Sequence, residues 1–235
     1  MDKTVPAGAA ILLDFIRQIE TGRSDSSAYD VIYGHNERNL LKRLTLMTID
    51  EIIGAGPVWT ARYKSSAAGA YQFMNATLKD LRRELGLGGA QVFDPNLQDR
   101  LGYHLLKRRG YDEFMAGQIN AVEFGKRLAQ EWASLPVLAA TKGGSRQVVR
   151  GQSYYAGDGL NKSLVKPEAV EAILREAKAA AVIAPQPIPP PPDIPTHIPP
   201  APPHNVVFPG WLWAVFFGLL IVLGILITTF LPIFK

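Results

Sequence analysis

Between positions 185 and 203, eleven of nineteen residues are proline, and no helix or sheet continues through such a stretch. Proline lacks a backbone N–H and fixes φ, so this segment is expected to run as polyproline II, a semi-rigid spacer of roughly 60 Å. The chain is therefore divided in three. Residues 1–183 mix charged and apolar side chains, and residues 211–234 carry no charge at all. The division expected is a folded domain at 7–180, a proline-rich linker at 181–209 and a membrane tail at 210–235. The first block is long enough to close one core without disulfides or metals.

The tail is 24 uncharged residues, Trp211 to Phe234. As a helix it would be about 36 Å long, enough to cross a bilayer with some tilt. Trp211 and Trp213 at one end and Lys235 at the other suit the two interfaces. This predicts one C-terminal transmembrane helix, with the lipid bilayer as its partner. The positive-inside rule places Lys235 in the cytoplasm and the domain outside it. From Ala214 to Phe230 the polar side chains are Thr228 and Thr229 only, so a pore-forming role has no polar face to work with. At the N-terminus, Asp14 interrupts the apolar run, and a cleaved signal peptide is not expected.

Charge and composition exclude much. Of the 25 Lys and Arg, 24 lie in the first block, with 20 of the 21 Asp and Glu, which leaves that block at +4. A mildly basic surface suits an anionic polymer, and serves equally as solubilising charge. The absence of cysteine excludes disulfides, cysteine-bound zinc and cysteine nucleophiles together. His35, His104, His197 and His204 are scattered without metal-ligand spacing. There is no glycine-rich phosphate loop and no nucleic-acid motif, so neither cofactor nor nucleic acid is expected.

Within the first block the apolar pattern is mostly helical. Ile11, Leu12, Phe15, Ile16 and Ile19 form one stripe at three- and four-residue spacing. Further helices are expected after Thr48, over Ala76–Leu85, Asn96–Arg109, Ala121–Ser134 and Pro167–Ala180. Ser24–Leu46 and Gly143–Lys162 read as loops or short strands. Six helices with small β excursions make a mainly α or α+β domain.

Taken alone, Glu20 is an ordinary glutamate at a helix end. Three further patches change its meaning: Tyr29-Asp-Val-Ile-Tyr-Gly-His35, Ser65-Ser-Ala-Ala-Gly-Ala-Tyr-Gln-Phe73 and Glu131-Trp-Ala-Ser-Leu-Pro136. Their order behind Phe15-Ile-Arg-Gln-Ile-Glu20 resembles the phage lambda endolysin family, glycoside hydrolase family 104. A fourth patch, Gly151 to Lys162, is similar to the family's closing segment. The resemblance runs from about Leu12 to Leu174 and includes neither linker nor tail.

The resemblance implies a lysozyme-like fold and a lytic transglycosylase, of phage or prophage origin. Such an enzyme cuts the β-1,4 bond between N-acetylmuramic acid and N-acetylglucosamine in peptidoglycan glycan strands and leaves a 1,6-anhydro ring. Glu20 matches the family's catalytic acid. A single carboxylate suffices for this chemistry if burial keeps it protonated near neutral pH and it later takes the proton of the attacking C6 hydroxyl. A hydrolysing muramidase would need a second carboxylate, for which Asp25 and Asp30 are the candidates, Asp30 reading as more structural. A non-catalytic wall-binding tether is the remaining alternative. Substrate contacts are expected from Ser66, Gly69, Tyr71, Gln72 and Tyr154, with a core tyrosine and a helix-capping serine as the competing readings of Tyr71 and Ser66. Family members commonly carry arginine where this chain has Ala70. The architecture implies the bacterial inner membrane as location, the domain facing periplasm or cell wall, with a holin or other lysis protein as a partner.

Overall fold

Helix α1, Ala7–Thr21, buries Ala9, Leu12, Leu13 and Ile16 and stops at Gly22, whose φ of 68° reverses the chain. The computed structural model describes residues 1–157 and 161–183. The proline-rich linker and the transmembrane helix expected at 211–234 lie outside these described residues. Among them, no helix is long and apolar enough to cross a membrane.

Helix α2, Ile49–Tyr63, opens on a capping box: Thr48 N–H donates to Glu51 Oε2 at 2.6 Å, and Glu51 N–H to Thr48 Oγ1 at 3.2 Å. Helix α3 spans Asn75–Leu85 and ends at Gly86, φ 61°. Asp94 caps α4, Pro95–Arg108, accepting from Leu97 N–H at 2.7 Å. A short α5, Tyr111–Met115, is followed by α6, Ala121–Glu131, capped by Asn120. Strands β1, Thr141–Lys142, and β2, Gln147–Val148, pair antiparallel with Thr141 opposite Val148. Helix α7, Pro167–Ile183, returns along α1. The close approach needs Gly8, where a Cβ would come within 2.6 Å of the Ala177 carbonyl.

The segment before α2, read as loops or short strands, is a run of 3₁₀ turns at 26–30, 33–35, 37–39 and 44–46, the loop alternative. Two differences from the sequence expectation have physical causes. Helix α6 ends at Glu131, three residues early, because Trp132 leaves helical geometry at φ −114°, ψ 102°. Helix α5 was not expected, since its five residues carry no periodic signal of their own.

One core unites the elements. Leu12, Leu13 and Ile16 of α1 meet Tyr71, Phe73 and Phe93, while Phe114 and Phe124 stack with ring centroids 4.6 Å apart. Deep in it, Asp99 of α4 is 1% exposed. Its Oδ1 accepts from Tyr29 Oη at 2.8 Å and Tyr71 Oη at 2.6 Å, and its Oδ2 from the Asp2 backbone N–H at 2.7 Å. Arg17 adds a cation by donating to Tyr29 Oη at 2.8 Å.

Candidate active site

Glu20 sits in the last turn of α1, one residue before its end. Part of its surface is open to solvent, yet protein crowds the carboxyl. Burial pushes its pKa up to about 7, against the opposing pull of a hydrogen bond from Ser134. The Ser134 hydroxyl donates to Glu20 Oε1. At neutral pH a large share of the molecules therefore carries the proton that a general acid must hold.

Ser134 belongs to a strap, 132–134, that leaves α6. At its start the Trp132 indole N–H donates to the Tyr71 carbonyl at 3.2 Å. Two residues of chain reach at most about 7 Å. Glu20 and the turn at 69–72 thus flank the same short strap.

That turn is built by Gly69 and Gln72. Ala68 and Phe73 pair across it, with N–H to carbonyl distances of 3.1 and 2.9 Å, and Gly69 N–H donates to Val31 O at 2.8 Å. Gly69 has φ +80°, and a Cβ there would run into the Gln98 amide oxygen. Gln98 uses that oxygen to accept Ala70 N–H at 2.9 Å and its amide N–H₂ to reach the Tyr29 and Phe93 carbonyls, each at 3.0 Å. Glycine at 69 is explained by this packing as well as by any approach of sugar.

Several expected substrate contacts take structural places instead. Tyr71 is 1% exposed, its hydroxyl spent on Asp99, so its ring offers no face for stacking. Ser66 is buried and accepts Asn75 N–H at 3.0 Å at the start of α3, the capping alternative. Gln72, at φ 48°, donates its amide to Gly69 O at 2.9 Å and closes its own turn, which leaves Oε1 without a protein partner among the described residues. Ala70 is wholly buried, so an arginine there would have to leave the core. Tyr154 is half-buried and edge-to-face with Tyr155 at 5.1 Å.

The candidate second carboxylates are tied down. Both oxygens of Asp30 are engaged, Oδ1 by Thr45 N–H at 2.9 Å and Thr45 Oγ1 at 2.7 Å, Oδ2 by Arg43. Burial alone would raise the Asp30 carboxyl, but Thr45 and Arg43 outweigh it and hold it below the usual range. Asp25 caps the 3₁₀ turn at 26–30, accepting Ser27 N–H at 2.8 Å, and lies below its ordinary value because of Ser27. Glu131 is bonded to Arg109 at 2.7 Å. No cluster of three or more potential metal ligands occurs among the described residues. Ser134 lies inside the Glu131–Pro136 patch, and nothing local in the sequence says which residue a strap serine will face.

No match was found among curated proteins. Among solved structures the chain is similar to bacteriophage lambda lysozyme complexed with a chitohexasaccharide, at 23% identity and a TM-score of 0.43, over 72% of this chain and 93% of that one. The family model described as Endolysin matches residues 10–159, more than half of the chain. The protein belongs to the endolysin family, enzymes that degrade bacterial cell wall.

Proposed function

We propose that the protein is a lytic transglycosylase of peptidoglycan, held at a membrane, in which Glu20 is both general acid and general base. The observation that carries this reading is a half-buried carboxyl at Glu20 whose pKa burial raises to about 7, with the candidate second carboxylates Asp25 and Asp30 engaged elsewhere. Glu20 protonates the glycosidic oxygen as the C1–O bond breaks. The substrate's own N-acetyl group stabilises C1, so no carboxylate nucleophile is needed. The C6 hydroxyl then bonds to C1 and its proton returns to Glu20, forming the 1,6-anhydro ring.

The uncharged run at 211–234 supports a tether in the bacterial inner membrane, with the proline-rich spacer giving the domain reach toward the wall. Fractionation tests the anchor: release by salt without detergent would rule it out. Replacement of Glu20 by Gln tests the chemistry. The parent should clear purified cell wall in a zymogram and Glu20→Gln should lose at least about a thousandfold, the upper range of general acid–base contributions. Clearing that persists in the variant removes Glu20 from the mechanism. A parent that binds wall without clearing it would make the domain a tether only.

A further inference from the structure

We propose that Ser134 is a positioning residue for the reaction: by donating its hydroxyl to Oε1 of Glu20, it reserves Oε2 as the oxygen through which both proton transfers pass. The proposal rests on the reading of Glu20 as the acid.

Ser134 is not a loose surface hydroxyl. Each residue of its strap is fastened by a different part of the chain. Trp132 Nε1 donates to Tyr71 O at 3.2 Å, Ala133 O accepts from Ser153 Oγ at 2.8 Å, and Ser134 O accepts from Leu164 N–H at 2.8 Å. The turn at 69–72, the loop after β2 and the approach to α7 thus fix the backbone from which the hydroxyl points. A held hydroxyl can select one of two chemically equivalent oxygens, which a mobile one cannot.

The selection follows from donor counting. Serine has one O–H, and it points at Oε1. In the acid form the carbonyl oxygen is the better acceptor of the two, so the oxygen that Ser134 donates to stays unprotonated and the carboxyl proton sits on Oε2. That proton goes to the glycosidic oxygen, which takes the electron pair of the breaking C1–O bond. Glu20 is then a carboxylate with Oε1 still held by Ser134 and Oε2 vacant. As the C6 oxygen bonds to C1, its proton passes to Oε2, and the starting acid is restored with no water consumed. The Ser134 bond is also strongest at the moment Glu20 is charged, because hydrogen bonds to ionised acceptors are about twice as strong as neutral ones.

Other charged and titratable groups around the site are committed elsewhere. On α1 and the turn beyond it, Arg17 is tied to Tyr29 and Asp14, and Arg23 to Glu37. On the strap side, Glu131 is tied to Arg109, and the Tyr155 hydroxyl donates to Gln130 O at 2.8 Å. Burial and Ser134 are the two influences that set the Glu20 carboxyl. Tyr154 from the loop after β2 packs beside Tyr155.

The test is the pH dependence of kcat and KM for the full chain in detergent, on soluble uncross-linked peptidoglycan strands, for the parent, Ser134→Ala and Ser134→Thr. Activity falls on the alkaline side as Glu20 loses its proton, and that limb of kcat/KM reports the free enzyme's carboxyl. Removing a donor to the charged form raises its pKa, so Ser134→Ala should move the alkaline limb to higher pH. Its kcat should fall roughly ten- to a hundredfold with KM within about twofold, and Ser134→Thr should restore both limb and rate. Three results overturn the proposal. One is an unchanged limb and rate. Another is a limb moved to lower pH with a higher kcat, which would mean that Glu20 spends its proton on Ser134. The third is a loss shared by Ala and Thr with no limb movement, which marks a folding role. A fully active Glu20→Gln control would sink the parent reading instead, so the two failures are distinguishable.

Discussion

The side-chain amide of Asn75 donates to the Ile53 carbonyl at 2.8 Å, taking the place of the backbone N–H that Pro57 lacks. Helix α2 therefore runs through a proline without leaving the half-buried Ile53 carbonyl unpaired. Gly56 makes the insertion possible, since a Cβ there would collide with the Asn75 amide. The same residue's backbone N–H reaches Ser66 Oγ, so Asn75 fastens α2 and α3 to the segment that leads into the 69–72 turn. Replacing Asn75 by Ala should cost about 1–3 kcal/mol, the desolvation of one orphaned carbonyl. Urea unfolding at constant m-value would show it. A cost below about 0.5 kcal/mol would mean that water replaces the amide freely.

Asp99→Asn should be more damaging than its near-identical shape suggests. Asp99 accepts two tyrosine hydroxyls and one backbone N–H, and an asparagine must turn an N–H₂ toward one of these donors. The expected loss is about 2–3 kcal/mol in stability, read as a lower denaturation midpoint. Tyr71→Phe, which removes one donor and leaves an acceptor with other partners, should cost about 1 kcal/mol.

Gly69→Ala faces both a left-handed backbone and the Gln98 amide. Backbone strain of this kind costs on the order of 1–3 kcal/mol before any displacement of Gln98. Thermal unfolding should register the loss. Gly86→Ala, with φ 61° but open space around it, should cost less, and the difference between the two isolates the Gln98 clash.

What the sequence made readable, and what it did not, divides along the range of the forces involved. The apolar stripe of α1, the start of α2 after Thr48, the span of α4 and the proline at the start of α7 are local signals, and the structure places helices at each. The length of α2 is not a local signal: glycine and proline disfavour helix interiors, and the tolerance of Gly56 and Pro57 depends on Asn75, eighteen residues beyond Pro57 in sequence. Tyr71 and Ser66 look like sugar contacts in a list of residue types. Only the partners, Asp99 and the α3 N-terminus, show that they serve the core. Ser134 could not be picked out at all, because its relation to Glu20 spans 114 residues.

The raised Glu20 carboxyl is also a stability statement. In the unfolded chain it titrates near 4.5 and in the folded one near 7. The folded state thus binds more protons between these values, and stability falls as pH rises through that window, flat below and above it. Glu20→Gln removes the titration. It should match the parent below about pH 4.5 and exceed it above pH 7 by on the order of 2–3 kcal/mol, somewhat reduced by the open side of the site. Denaturant titrations of both proteins at pH 4 and pH 8 check the sign. A parent more stable than the variant at pH 8 would show that the carboxylate is welcome where it sits, and the acid assignment would lose its physical basis.

If Glu20 carries both proton transfers, the glycan is cut without using water. Mass analysis of the fragments released from purified peptidoglycan decides the matter. The muramic acid ends should be one water lighter than hydrolysed ends, from the first detectable products onward. Fragments that carry ordinary reducing ends, gaining one oxygen from isotopically labelled water, would contradict it.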